Sequence, residues 1–131
     1  MIEIPVSSSE RNEFIDITGK ISEAVSKTKI ESGFCIIYVP HTTAAVTINE
    51  GSDPDVQTDL LFWLNEHIKP SSSFRHAEGN SDSHVKSSLV GHSVSVLIEK
   101  SALVLGTWQK IFFCEFDGPR KRKVFLKIFR A

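Results

Sequence analysis

The chain has 131 residues, 40% apolar and 24% charged, which is the balance of a globular protein with its own core and not of a disordered segment. Its longest apolar runs are a few residues long, far below the roughly 18 needed for a membrane-spanning helix. Fifteen basic and 16 acidic side chains leave a net charge of −1, yet residues 119–131 hold six of the bases and no acid, so residues 1–118 sit at −7. A basic end of this kind suits phosphate, nucleic acid or an acidic neighbour, and a solvated strand face explains it equally well.

Length and composition predict a single domain over 1–131. The N-terminus has acids and no Lys before Lys20, so it reads as no signal peptide. Both cysteines, Cys35 and Cys114, lie in apolar runs; they read as buried free thiols, consistent with a reducing, cytoplasmic setting.

In chain order, Ile2, Ile4 and Val6 alternate as a short strand, and residues 14–17 form another. Thr18 is placed to cap a helix in which Ile21, Val25 and Thr28 fall at helical spacing before Gly33. Residues 34–39, β-branched and aromatic, predict a buried strand broken by Pro40. Residues 42–48 predict the next strand. Thr42, Ala44, Val46 and Ile48 share one face; His41, Thr43, Ala45, Thr47 and Asn49 share the other, small and polar enough for a site floor.

Asp53-Pro54 is a strong helix start, and Val56, Leu60, Leu61, Leu64 and Ile68 give the helix one apolar stripe up to Pro70. A polar loop over 69–81 precedes a short helix over 83–90, capped by Asp82 and stopped by Gly91. Strands over 93–99 and 102–105 are joined by a hairpin turn. Residues 108–117 are apolar on both faces, which predicts cover on both faces, one of them from a second subunit. Gly118-Pro119 turns the chain into a last strand over 124–129. The pattern predicts an α+β fold: a mainly antiparallel β-sandwich with two or three helices.

Of the five histidines, His67 and His92 read as structural. His41, His76 and His84 stand among polar residues, and three imidazoles are a ligand set for Zn²⁺ or a similar ion. Their spacing matches no short zinc motif, and hydrogen bonding alone also accounts for isolated histidines. Glu50 and Glu78 are candidate proton-transfer groups next to site-like sequence. Arg120 and Arg122, presented by the turn after Gly118, suit bidentate capture of phosphate or carboxylate. No Gly-rich phosphate loop and no Gly-x-Ser-x-Gly elbow is present.

These segments together resemble a known family. His41-Thr42-Thr43-Ala44-Ala45, Thr47-Ile48-Asn49-Glu50, Asp53-Pro54-Asp55-Val56, and His76-Ala77-Glu78-Gly79-Asn80 with Asp82, His84, Lys86 and Ser87 are similar to the YjbQ family. So are Leu105-Gly106-Thr107-Trp108-Gln109 and Glu115-Phe116-Asp117-Gly118-Pro119-Arg120. One departure is Ser101, where the family usually has Gly in the hairpin turn.

The resemblance implies a compact α+β sandwich that assembles as a homotrimer, and a weak, secondary thiamine-phosphate synthase activity. That activity joins a pyrimidine pyrophosphate to a thiazole phosphate. It also implies His41, His76 and His84 as the metal set. The expected cofactor is a divalent ion, Zn²⁺ by ligand type, with Mg²⁺ suited to a pyrophosphate substrate. Thr42, Thr43, Asn80, Lys86, Gln109, Arg120 and Arg122 are the expected contacts to a small phosphorylated ligand, with Glu50 and Glu78 catalytic. The alternatives are a trimeric module that binds a metal or small ligand without turnover, and a metal-assisted hydrolase. Nucleic acid is a third, weaker partner, since basic and aromatic residues interleave on one strand only. No membrane partner is expected.

Overall fold

The computed structural model describes residues 1–131. In order the elements are β1 (Ile2–Ser7), β2 (Glu13–Asp16), α1 (Thr18–Thr28), β3 (Ser32–Tyr38), β4 (Ala44–Glu50), α2 (Pro54–His67), α3 (Ser81–Val90), β5 (Ser93–Glu99), β6 (Ala102–Leu103), β7 (Gln109–Glu115) and β8 (Lys121–Arg130). Two sheets form, ordered β1-β8-β3-β5-β6 and β2-β7-β4. Every pairing is antiparallel. The α+β sandwich with three helices expected from the sequence is what the chain adopts. No helix is long and apolar enough to cross a membrane.

The main core lies between the inner faces of the two sheets. Ile4, Val6, Cys35, Ile37, Val96, Ile98, Val124 and Leu126 come from the larger sheet. Ala44, Val46, Ile111 and Phe113 come from the smaller, and Ile17, Ile21 and Val25 of the α1 region join them. Each such fully buried aliphatic or aromatic side chain stabilises the fold by roughly 1.5–3 kcal/mol. Burial pushes the Cys35 thiol up to about 11 and raises Cys114 as well, so both are inert fillers, as expected.

Several local expectations are corrected. Thr18 is the first helical residue; its hydroxyl accepts from the Ile111 N–H at 2.8 Å, and Asp16 receives the Thr18 N–H at 2.9 Å. Helix α3 begins at Ser81 after Asn80, because Asp82 is taken up by Arg11 rather than by capping. The small face expected as a site floor is divided: His41 and Thr43, ahead of β4, line a cleft, whereas Ala45 within β4 is buried. Ala45 joins Phe112, Cys114 and Phe116 in a second, smaller core, with Phe14, Leu64 and Val90 packed against it. That core also answers the doubly apolar β7. Its second face is covered by elements of the same chain, so a partner subunit is not required there. Asp53 caps α2 as expected, accepting from the Asp55 N–H at 2.9 Å.

The outer face of the larger sheet is uncovered. Phe34 stacks on Phe129 with centroids 4.8 Å apart, Tyr38 on Phe125 at 6.4 Å, and Leu97 is 63% exposed. Lys123 stands over the Phe125 ring at 5.4 Å.

In the β5–β6 hairpin both turn residues, Lys100 (φ 52°) and Ser101 (φ 60°), occupy the left-handed region. That is the mirror-image turn that follows the strand twist and favours glycine. The Ser101 departure therefore keeps the turn and carries its steric cost. Ser101→Gly should raise stability by about 0.5–1 kcal/mol, seen as a melting temperature a few degrees higher. An unchanged or lower transition would contradict the assignment.

Candidate functional site

The antiparallel order brings one set of strand ends together. Tyr38, at the end of β3, pairs with Ser93 at the start of β5 and with Phe125 near the start of β8. Ala44, at the start of β4, pairs with Glu115 at the end of β7. The segment 39–43, the β7–β8 turn, the start of β5 and the N-terminus of α3 thus meet at one edge. There they enclose a cleft of about 780 Å³. Four histidines line it (His41, His76, His84 and His92), with Glu78, Asn80, Asp117, Arg120, Arg122 and the threonines Thr42 and Thr43. Tyr38 and Pro40 complete its wall.

One buried ion pair supports this edge. Arg122 grips Glu115 with both Nε (2.9 Å to Oε1) and Nη2 (2.6 Å to Oε2). Glu115 is fully buried and Arg122 nearly so. Further hydrogen bonds surround the pair. The Ser8 hydroxyl donates to Glu115 Oε1 at 2.6 Å, and the Phe116 and Asp117 N–H groups donate to Oε2 at 3.1 Å. Arg122 Nη2 also donates to Thr43 Oγ1 at 2.8 Å, whereas Nη1 makes no hydrogen bond within the protein. Together these bonds hold the Glu115 carboxyl below the usual glutamate range against burial, which by itself acts upward.

The Gly118-Pro119 turn is clamped by the segment before β2. A Cβ at Gly118 would collide with the Glu10 carbonyl and the Ser8 hydroxyl, so only glycine fits. Arg120 folds back on the turn, donating to the Asp117 carbonyl at 2.7 Å and its carboxylate at 3.0 Å. Helix α3 is stapled to the cleft by two buried serines. Ser83 donates to the Phe116 carbonyl and Ser87 to the Thr42 carbonyl, both at 2.6 Å. Gly91 ends the helix at φ 105°, a conformation side-chain-bearing residues avoid.

The three expected imidazoles share the cleft without forming one ligand set. His76 and His84 are in edge-to-face contact, centroids 5.3 Å apart. His41 has one ring nitrogen engaged elsewhere: its Nε2 accepts the Lys123 backbone N–H at 3.1 Å. Burial, then the Arg122 charge, lowers its pKa, so the ring is neutral and carries its proton on Nδ1. No three His, Cys, Asp or Glu side chains converge as a metal-holding group. The pair nonetheless has the right span for two ligands of one ion. With zinc–nitrogen bonds of about 2.1 Å, two imidazole centroids at a tetrahedral angle stand roughly 5.2 Å apart.

Three expected site residues lie elsewhere. Glu50 pairs with Gln109 at the far end of the smaller sheet, about 20 Å along β4 from Ala44 at 3.3 Å per residue. Gln109 uses its Oε1 to accept the Gly106 N–H. Lys86 is buried behind α3. Its Nζ donates to Asn65 Oδ1 at 2.7 Å and Asn12 Oδ1 at 3.2 Å, with Asp82 at 3.8 Å. It ties α3 to α2 and to the segment before β2, and burial lowers its pKa. Asp82 in turn holds Arg11 through both carboxylate oxygens.

His92 and Asp117 line the cleft although His92 reads as structural in the sequence. The usable signal was the strand pairing. Once β5 runs antiparallel to β3, the residue opening β5 must stand beside the residues closing β3. His67 is where the sequence puts it, exposed on α2 and stacked on Trp63.

The buried pair dictates acid behaviour. Glu115 is depressed in the folded state, so its stabilisation is complete above the ordinary glutamate value of 4.5 and is lost as pH falls through the lower folded value. Glu115→Gln should cost about 3–5 kcal/mol at pH 7 by leaving Arg122 uncompensated. It should also flatten the acid limb of a stability-against-pH curve measured by urea unfolding. Parallel curves for the two proteins would contradict this account.

The family model for the UPF0047 protein YjbQ-like proteins matches residues 2–131. The chain is 48% identical to the UPF0047 protein MJ1081 of Methanocaldococcus jannaschii, covering 98% of this chain and 93% of that one. It is 47% identical to the UPF0047 protein YugU of Bacillus subtilis, over 95% and 96%. Its fold superposes on the crystal structure of an uncharacterised YjbQ/UPF0047 protein of Clostridium acetobutylicum with a TM-score of 0.96, at 46% identity over 98% and 100%. A YbjQ-like protein of unknown function from Sulfolobus solfataricus matches with a TM-score of 0.94, at 34% identity over 99% and 96%. With the match spanning nearly every residue, the cleft included, this chain belongs to the YjbQ-like UPF0047 family.

Proposed function

We propose that the cleft binds a small phosphorylated molecule together with a divalent ion held by His76 and His84. The observation that carries this reading is the imidazole pair, 5.3 Å between centroids, in a cleft whose two arginines are already neutralised. Arg122 is matched by Glu115 and Arg120 by Asp117. An anion therefore gains donors from the arginines but little net charge, and an ion on the histidine pair would supply it. Imidazole donors favour Zn²⁺, and a pyrophosphate ligand would favour Mg²⁺. When bound, such an ion polarises a phosphoryl oxygen.

The chain's own groups then have definite parts. Arg122 Nη1, free of protein partners, donates to the ligand. So does the Nδ1–H of His41, which its bond to Lys123 orients. Glu78 Oε2 stands 3.8 Å from His76 Nε2, beyond hydrogen-bond distance, and would orient that ring by closing on it. Thr42 shapes the wall. Thiamine-phosphate formation, the reaction implied by the family resemblance, fits in one respect. It needs partners positioned and leaving-group charge stabilised rather than a strong base. Binding without turnover is the second reading. It is favoured by the carboxylates: Glu78 alone is free of an arginine, and it is 73% exposed.

Self-assembly, as the homotrimer the resemblance implies, belongs to the same proposal. Its support is the uncovered aromatic face of the larger sheet, Phe34, Phe129, Tyr38 and Phe125. Unpaired faces of this kind mark contact surfaces. Sedimentation at micromolar concentration should give an oligomer; a monomer would overturn that part.

Elemental analysis of untagged protein tests the metal. Wild type should hold about one divalent ion per chain, and His84→Ala should lose most of it while melting as a folded protein. Equal metal content in the two proteins would remove the histidine pair from the proposal.

A further inference from the structure

Helix α2 contains no buried residue, although Val56, Leu60, Leu61, Phe62, Trp63 and Leu64 give it the apolar stripe of a core helix. Leu64 and, on α3, Val90 pack on the second core over the smaller sheet. Between the two helices lies a groove of about 660 Å³ that shares no residue with the histidine cleft. Phe14 and Trp63 give it aromatic walls, Leu60 and Leu89 aliphatic ones, and Thr47 and Asn49 of β4 a polar patch. Trp63 is held against His67, ring centroids 4.0 Å apart, so that wall is already formed. Concave apolar spaces of roughly 300–1,000 Å³ with a few polar groups are the usual form of small-ligand sites.

The charge around the groove is of one sign. Residues 49–68 hold five acids and no Lys or Arg. Asp53 caps the helix and Glu66 lies 3.7 Å from Lys69, whereas Asp59, which lines the groove, has no hydrogen-bond or ion-pair partner in the chain.

That charge argues against a second copy as the occupant. Groove against groove would set acid on acid. The open face of the larger sheet carries exposed lysines, Lys123 and Lys127, but it lies on the opposite side of the sandwich, since α2 and α3 cover the outer face of the smaller sheet. Joining opposite faces of one molecule head to tail gives an open filament and not a closed assembly. Closed self-assembly through the sheet face would leave the groove to another occupant.

We infer that this groove is a second ligand site, and that its occupant is a small hydrophobic cation: an aromatic or branched apolar body between α2 and α3, carrying a protonated amine that pairs with Asp59. The body covers apolar surface that α2 leaves in water. The ammonium gains the Asp59 carboxylate and the negative faces of the aromatic walls. A neutral or anionic molecule of the same shape gains only the apolar part.

The test titrates the full chain with 4-phenylbutylamine, 4-phenylbutanol and 4-phenylbutyrate, followed by backbone-amide NMR. The three share one apolar body and end in a cation, a hydroxyl and an anion. Wild type should bind the amine about fivefold or more tightly than the alcohol, and the anion most weakly, with shifts in α2, α3, β4 and the Trp63 indole. Asp59→Asn should bring the amine to the level of the alcohol and leave the alcohol unchanged. Leu89 is 69% exposed, so Leu89→Lys sets a fixed cation in the groove without disturbing the core. It should lose the amine while melting as wild type does.

No binding of the amine, equal binding of the three compounds, or a preference for the amine that survives Asp59→Asn each overturns the inference. So do shifts at the histidine cleft in place of the groove. Sedimentation of Leu89→Lys beside wild type should show an unchanged particle; a smaller one would mean that a second copy fills the groove, which also overturns it. None of these results touches the metal on His76 and His84, so failure here leaves the proposed function standing.

Discussion

The Glu115–Arg122 pair is the constraint on which the functional edge of this molecule depends. Two charges buried together are tolerated only with good geometry and further hydrogen bonds to the polar atoms around them. Here those bonds come from four separate stretches of chain: Ser8 before β2, Thr43 before β4, the N–H groups of Phe116 and Asp117 after β7, and Arg122 within β8. The pair therefore fixes strand ends from both sheets relative to one another. The main core could hold the sheets face to face without it, but the apolar contacts are non-directional and would not place the ends to this precision. The cleft wall is made of the residues next to these anchors.

The same economy of charge runs through the site. Arg120 with Asp117, Arg122 with Glu115, and Arg11 with Asp82 are each paired within the chain, and Lys86 is surrounded by Asp82, Asn12 and Asn65. Such pairing neutralises the arginines, of which Arg122 is the buried one, and it leaves the cleft's two as oriented donors rather than as free cations. A neutral His41 completes the pattern, since its protonation would set a like charge beside Arg122. Discrimination in a site of this kind comes from hydrogen-bond geometry more than from long-range attraction.

The periodic part of the fold was legible in the sequence, and the reason is local. Alternation in β5, the apolar run of β3 and the Asp53-Pro54 start of α2 each depend on neighbours a few residues away. What the sequence concealed depends on partners far along the chain. Asp82 looks like a helix cap until Arg11, 71 residues earlier, claims it. Lys86 looks like a phosphate ligand until the folded chain shows it turned inward to Asn65 and Asn12. Glu50 was attractive because it follows a site-like strand. Yet a strand has two ends, and the antiparallel register with β7 puts Glu50 opposite Gln109 and Ala44 opposite Glu115. Histidine and arginine clustering was readable as chemistry; which end of each strand carried it was not.

Tyr38 joins the cleft to the open face of the larger sheet. Its ring stacks with Phe125 on the open face of the larger sheet, and the same residue walls the cleft. Lys123 repeats the link: its ammonium lies over Phe125 while its backbone N–H fixes His41. Anything that packs on the aromatic face therefore presses on the strand that sets the His41 ring, through a single residue of β8. Covering that face would restrict Tyr38 and Lys123 together, and with them the backbone N–H that holds His41 Nε2. Assembly through that face, as proposed, would make the contact surface and the cleft mechanically one structure.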